Sequence, residues 1–148
     1  MKDKINLTAV TLWVNRLIAL VLAVLLFTLP LVLDWYSKYR TLLPQERLAL
    51  TIAFYCCAVV IGIALWNMER LLGNILQELV FIRENVKRIR RVQWCCGGVS
   101  LICVPAATVY YPLIFLVVIM AFLALVVSVV CRVMDTAVSL REENDLTI

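Results

Sequence analysis

The sequence contains no histidine, and none of its ten acidic residues lies inside one of its long apolar runs. Histidine is the commonest general base at neutral pH and the commonest nitrogen ligand for metals, so its absence argues against hydrolase and metal chemistry. A proton-driven exporter usually needs a carboxylate within the membrane to carry the proton. The chain also has no phosphate-binding or dinucleotide-binding motif. We expect no enzyme activity, catalytic residue, metal site or cofactor.

The cysteines lack the spacing of a metal site. The chain has six of them, all in or beside apolar runs, and adjacent ones point to different faces of a helix. We interpret them as small apolar packing residues, with a redox role for Cys95 and Cys96 as the alternative. The six are Cys56, Cys57, Cys95, Cys96, Cys103 and Cys131.

What the sequence has is apolar length. Hydrophobic residues make up 64% of its 148 positions, against roughly 45–50% in soluble domains. A membrane-spanning helix needs about 20 mostly apolar residues, and the chain contains four such stretches. We predict an all-α, polytopic membrane protein that forms one domain, with the first span retained rather than cleaved. The predicted spans are residues 12–33, 48–66, 94–111 and 112–134, with a segment at 67–93 and a tail at 135–148 outside the membrane.

The basic residues predict the orientation. Eleven lysines and arginines fall on the side that carries both termini and the 67–93 segment, and three fall on the other side. Because short cytoplasmic loops carry the excess of Lys and Arg, both termini should be cytoplasmic. An aromatic belt is then expected at the outer interface. Its members are Trp35, Tyr36, Tyr39, Tyr110 and Tyr111.

The 67–93 segment carries a heptad-like apolar stripe with alternating spacings of four and three, which predicts helix. The members of the stripe are Met68, Leu72, Ile75, Leu79, Ile82, Val86 and Ile89. A single helix could not return to the membrane at Trp94, so the chain must turn. A turn near residues 79–83 would make a hairpin of helical extensions in the cytoplasm, which we favour. A turn at Gly73–Asn74 would instead leave an amphipathic helix on the membrane surface.

Two further groups of residues stand out within the spans. Arg16 lies near the inner end of the first span, where it either snorkels to the headgroups or makes an intramembrane contact to a partner or ligand. Small residues mark faces where helices approach closely, either inside the molecule or between copies of it in a homo-oligomer. These candidate packing residues are Ala58, Gly62, Gly97, Gly98, Ser100, Ala106 and Ala107.

The basic segment and the tail carry opposite charges on the same side of the membrane. Three interpretations fit them: contact of the basic segment with anionic lipid, pairing of the segment with the tail, or docking of a cytosolic protein. No direct binding of nucleic acid is expected. The candidate partner-binding residues are Arg83, Glu84, Asn85, Lys87, Arg88, Arg90 and Arg91 in the segment, and Glu142, Glu143, Asn144 and Asp145 in the tail.

The stretches "FIRENVKRIRRVQWCC" and "LREENDLTI" resemble the hallmark segments of DUF2975, a bacterial family of four-helix membrane proteins without an established activity. The resemblance covers nearly the whole chain and implies location in the bacterial cytoplasmic membrane. It also implies proximity to a gene for a small helix-turn-helix transcription regulator. A non-enzymatic membrane tether or regulator of such a protein is therefore our first hypothesis. The alternatives are a small transporter, export or immunity component, and a self-associating membrane assembly protein.

Overall fold

The computed structural model describes residues 2–77 and 79–146, with side chains from residue 8 onward. It contains four helices: α1 (Lys2–Tyr39), α2 (Pro44–Leu76), α3 (Arg83–Val109) and α4 (Leu113–Leu146). Each is long and apolar enough to cross a membrane. The predicted all-α architecture with four candidate membrane-spanning helices is confirmed.

The helix boundaries follow from local chemistry. Pro44 occupies the first turn of α2, where its missing N–H is not needed, and the Glu46 carboxylate accepts the backbone N–H of Leu43 at 3.0 Å. Between α3 and α4 the chain turns over residues 110–112, where the Leu113 N–H donates to the Tyr110 carbonyl at 3.1 Å. Two prolines, Pro30 and Pro105, lie within α1 and α3 without ending them.

The helices pack in chain order as an antiparallel series. The backbone of α3 lies between those of α2 and α4, whereas α1 packs its backbone only against α2. The start of α1, the α2–α3 turn and the end of α4 lie at the same end, which we call the terminal end. The other end is called the opposite end. One core cluster lies near the terminal end and joins α2, α3 and α4, and a second lies further along the spans. The first contains Leu71, Val86, Ile89, Cys131 and Val138, and the second contains Cys57, Val99 and Cys103.

The 67–93 segment turns between Leu76 and Arg83. This corresponds to the hairpin alternative, because α2 continues without a break through Gly73 and Asn74. Part of the apolar stripe forms the seam of the hairpin, where Val86 and Ile89 are buried with Leu71 of α2 and where Met68 and Ile75 pack against them. Leu79, also a member of the stripe, lies between the two helices and is exposed.

Candidate functional site

The three helices that meet at the terminal end continue past the apolar spans. We call this part the terminal extension: residues 67–76 of α2, 83–93 of α3 and 135–146 of α4, with the turn residues 77 and 79–82. Leu76 lies seven residues beyond Glu69, or about 10 Å by helical rise. A headgroup zone is roughly 5–8 Å deep on each side of a bilayer. The turn therefore lies farther from Glu69, the first charged residue after the apolar run of α2, than the depth of one headgroup zone.

Asn85 holds the α2–α3 turn in a single shape. Its residue is 0% exposed, and its side-chain nitrogen donates to the carbonyls of Leu79 at 2.7 Å and Val80 at 3.0 Å. Its side-chain oxygen accepts a hydrogen bond from the Asn74 amide at 2.8 Å. One buried amide thus joins the end of α2, the turn and the start of α3, and both its nitrogen and its oxygen have partners within the chain.

The basic segment and the acidic tail are paired with each other through two tail carboxylates, Glu142 and Asp135. The Arg83 guanidinium donates to both carboxylate oxygens of Glu142, with the shortest contact at 2.8 Å, and lies 3.6 Å from Asp135. Arg90 approaches the same Asp135 at 3.7 Å. The hydrogen bonds from Arg83 lower the pKa of the Glu142 carboxyl, and those to Glu142 raise the pKa of Arg83. The tail is therefore a continuation of α4 whose ion pair with Arg83 holds it against the start of α3.

The remaining charged candidates divide between internal contacts and the surface. Arg88 pairs with Glu84 one turn away, and its Nε is buried without a hydrogen-bond partner in the described residues. Arg91 reaches the side-chain oxygen of Asn67 at 3.5 Å, and Lys87 is exposed. The tail residues Glu143, Asn144 and Asp145 lie on the exposed final turns of α4.

Two large apolar side chains are presented by the turn that Asn85 fixes. Leu79 is 47% exposed and Phe81 is 43% exposed. Both residues come after Glu69, where the apolar run of α2 ends. Exposed apolar side chains on a rigid, water-facing element are a feature of protein contact sites. Sequence reasoning assigned Leu79 to the buried stripe and did not consider Phe81. The available signal in the sequence was Asn85, a polar residue six positions after Leu79 and next to the stripe residue Val86. It indicated that the apolar seam is interrupted near the turn.

Arg16 makes a contact within the molecule. Its Nε donates to the Glu69 carboxylate on α2 at 2.9 Å, and the adjacent Asn15 amide donates to the Leu65 carbonyl at 3.2 Å. Sequence reasoning placed Glu69 at the end of a span and did not pair it with Arg16. The two residues are 53 positions apart, so only the packing of α1 on α2 reveals the contact.

The small-residue candidates lie in different surroundings. Ala58 and Ala106 are buried, and the Ser100 hydroxyl donates to the Val117 carbonyl of α4 at 3.0 Å. A methyl group added at Gly98 would meet only Val60, at 3.8 Å, and one added at Gly62 or Gly97 would meet nothing within 4 Å. Ala107 is half-buried. The geometry thus leaves open space beside two of the three candidate glycines.

The cysteines are all free thiols, and the closest pair is Cys57 and Cys103, whose sulfur atoms lie 3.6 Å apart in the second core cluster. Among residues 2–77 and 79–146, no group of three or more His, Cys, Asp or Glu side chains is arranged to bind a metal ion.

In a comparison with known families, residues 33–148 match a family described as protein of unknown function (DUF2975). No curated protein and no solved structure gave a significant match. The match covers α2, α3 and α4 completely, together with the end of α1. With its four apolar helices and the basic segment that opens α3, the chain belongs to the DUF2975 family.

Proposed function

We propose that the protein is a non-enzymatic tether in the bacterial cytoplasmic membrane that binds a cytosolic helix-turn-helix regulator through its terminal extension. Both termini lie in the cytoplasm in this proposal, because the terminal end carries the excess of basic residues. The observation that carries the proposal is the α2–α3 turn. A buried asparagine fixes the turn, which exposes Leu79 and Phe81 about 10 Å or more beyond Glu69, the first charged residue after the apolar run of α2.

Charge supports a DNA-binding partner. Besides Glu142, which is paired with Arg83, the final turns of α4 carry Glu143 and Asp145 against Arg141. A DNA-binding protein presents a basic face to the phosphates, and such a face is complementary to this acidic surface. Binding here would compete with DNA for the same basic face, so membrane tethering would lower the amount of regulator on its DNA sites.

The test is capture of the tagged protein from crosslinked native membranes, followed by mass spectrometry. We would compare the natural chain with two double variants, Leu79→Ser with Phe81→Ser and Glu143→Lys with Asp145→Lys. Neither double variant removes a residue of the core clusters or the Arg83–Glu142 pair, so the fold should be retained. Lys38→Glu is the matched control, since it reverses a charge on the last turn of α1 at the opposite end.

The expected result is a helix-turn-helix protein that the natural chain and Lys38→Glu retain and both double variants lose. Rebinding of that purified protein to the natural chain in nanodiscs, and its displacement by its DNA site, would complete the assignment. Equal recovery of the same proteins with all four chains, each inserted normally, would contradict the proposal.

A further inference from the structure

The four helices enclose an apolar cavity in the half of the molecule nearer the opposite end. Its volume is about 330 Å³, and every residue that lines it is apolar. Leu29 and Leu33 of α1 form one side, Leu116 and Met120 of α4 form the other, and Phe54 and Cys103 lie between them on α2 and α3. Since the backbones of α1 and α4 are not in contact, the cavity separates these two helices.

The length of the cavity corresponds to one leaflet of a bilayer. On α2 it extends from Leu50 to Ile61, eleven residues or about 16 Å, and half of a hydrocarbon core is about 15 Å. The volume divided by that length gives a mean cross-sectional area of ~20 Å², which matches the cross-section of one extended hydrocarbon chain. A helix with its side chains is about 10–12 Å in diameter, so a helix from a second copy would not fit.

Polar side chains lie beyond the lining residues toward the opposite end, and we call this end of the cavity its mouth. The hydroxyl groups of Tyr36 and Tyr110 lie 2.8 Å apart, one turn above Leu33 on α1 and three residues before Leu113 on the chain. The Arg40 guanidinium lies 5.4 Å from the centre of the Tyr110 ring and forms no ion pair with the described residues. The nearby Glu46 carboxylate is directed to its own helix start, where it accepts the Leu43 N–H.

We propose that this cavity binds one acyl chain of a phospholipid from the leaflet at the opposite end, with the lipid phosphate beside Arg40. The chain enters laterally between α1 and α4 and reaches Ile61 and Met120 near the middle of the bilayer. The cation at the mouth lies at the depth of the phosphates, so one amphiphile satisfies both the apolar lining and the unpaired charge. The site is distant from the terminal extension and does not depend on its role.

The first test is photocrosslinking in phosphatidylcholine nanodiscs that contain phosphatidylglycerol with a diazirine on its acyl chain. Crosslinks mapped by mass spectrometry should be more frequent on the cavity lining than on lipid-facing residues such as Phe27 and Phe115, which are exposed in the structure. Leu33→Trp, which fills the cavity, should reduce the lining crosslinks to the lipid-facing level. Leu31→Trp is the matched control, because Leu31 is 68% exposed and lies outside the cavity, whereas Leu33 is 9% exposed.

The second test concerns the headgroup. Arg40→Gln should lower crosslinking of the phosphatidylglycerol probe by about threefold to tenfold, the effect of losing one charge-assisted contact. The same substitution should leave a diacylglycerol probe with the identical diazirine chain unaffected. Lys38→Gln is the control, since Lys38 lies about 200° around α1 from Tyr36.

Correct folding of each variant is checked by size-exclusion chromatography and circular dichroism, and Leu116→Phe provides a second cavity-filling variant from the α4 side. Lining crosslinks that are no more frequent than lipid-facing ones, or that persist in both cavity-filling variants, would overturn the proposal. An equal loss of both probes with Arg40→Gln would overturn the assignment of the phosphate to Arg40.

Discussion

Asn85 connects three stretches of the terminal extension through one side-chain amide. Its hydrogen bonds to Asn74, Leu79 and Val80 determine where α2 stops and how the turn presents its apolar side chains. Asn85 is buried beside Val86 of the apolar stripe, and a buried polar residue of this kind weakens the core but selects one arrangement over its alternatives. In this molecule the arrangement selected is a short, rigid turn.

We therefore expect Asn85→Ala to destabilise the terminal extension by about 1–3 kcal/mol for each buried group left without a partner. Amide hydrogen exchange at residues 79–82 should accelerate strongly, and Asn74→Ala should have a smaller effect because it removes one hydrogen bond rather than three. Hydrogen-exchange mass spectrometry in nanodiscs measures both. Unchanged exchange of the turn in Asn85→Ala would show that its shape does not depend on the amide.

The Arg83–Glu142 pair predicts a specific pH dependence. The pKa of Glu142 is lowered by its hydrogen bonds from Arg83, so the stability that the pair contributes is complete above the ordinary glutamate pKa of about 4.3. It is lost as the pH falls through the lowered pKa of the folded state. Between pH 7 and 5 we expect no change.

Below about pH 4, the last turns of α4 should fray in the natural chain. In the Glu142→Gln variant, the last turns of α4 should already be less stable at pH 7. Acidification should then produce no further unfolding step that depends on residue 142. The measurement is the backbone NMR signals of residues 139–146 as a function of pH. An identical acid response in the two chains would assign it to the other carboxylates of the tail.

At the scale of elements, α4 is one continuous helix whose first part suits lipid and whose last part suits water. Its first part is fully apolar, and its last part carries charge on one side and a core residue on the other. Val138 is 1% exposed and packs in the first core cluster with residues of α2 and α3. The tail is thus held by burial as well as by the ion pair between Arg83 and Glu142, which is exposed and contributes little by itself because water screens the charges.

Val138→Ala should therefore destabilise the terminal extension by roughly 1–3 kcal/mol, the value of burying such a side chain. Val133→Ala, at an exposed position of the same helix, should have little effect. Limited proteolysis at Arg141 in nanodiscs distinguishes the two, since cleavage requires the last turns to unfold. Equal cleavage rates would indicate that the tail is not anchored through Val138.

At the scale of the whole molecule, the antiparallel series places both termini and the α2–α3 turn at one end. We expect a fluorescent-protein fusion to the C-terminus to fluoresce in the cytoplasm and an alkaline phosphatase fusion there to be inactive, because the terminal end carries the basic excess. A phosphatase inserted between residues 40 and 43 should be active, which provides the internal control. The reverse pattern would invert the topology.

Composition and pattern alone determined the number of helices, their all-α character and the family resemblance. Apolar runs of this length have few alternatives in a membrane, because every backbone group must be satisfied within its own helix. The apolar stripe with its return to Trp94 required a turn, and the hairpin alternative placed that turn within a few residues. These inferences depend on local or periodic features that are visible along the chain.

Contacts between distant residues were decided only by the tertiary structure. The Arg16–Glu69 pair, the Arg83–Glu142 pair and the cavity between α1 and α4 join positions that are 53 or more residues apart, and no spacing rule relates them. Helix packing in lipid depends on shape rather than on a hydrophobic difference from the solvent. For that reason the positions of the membrane spans can be predicted from a uniformly apolar sequence, whereas the contacts between the spans cannot.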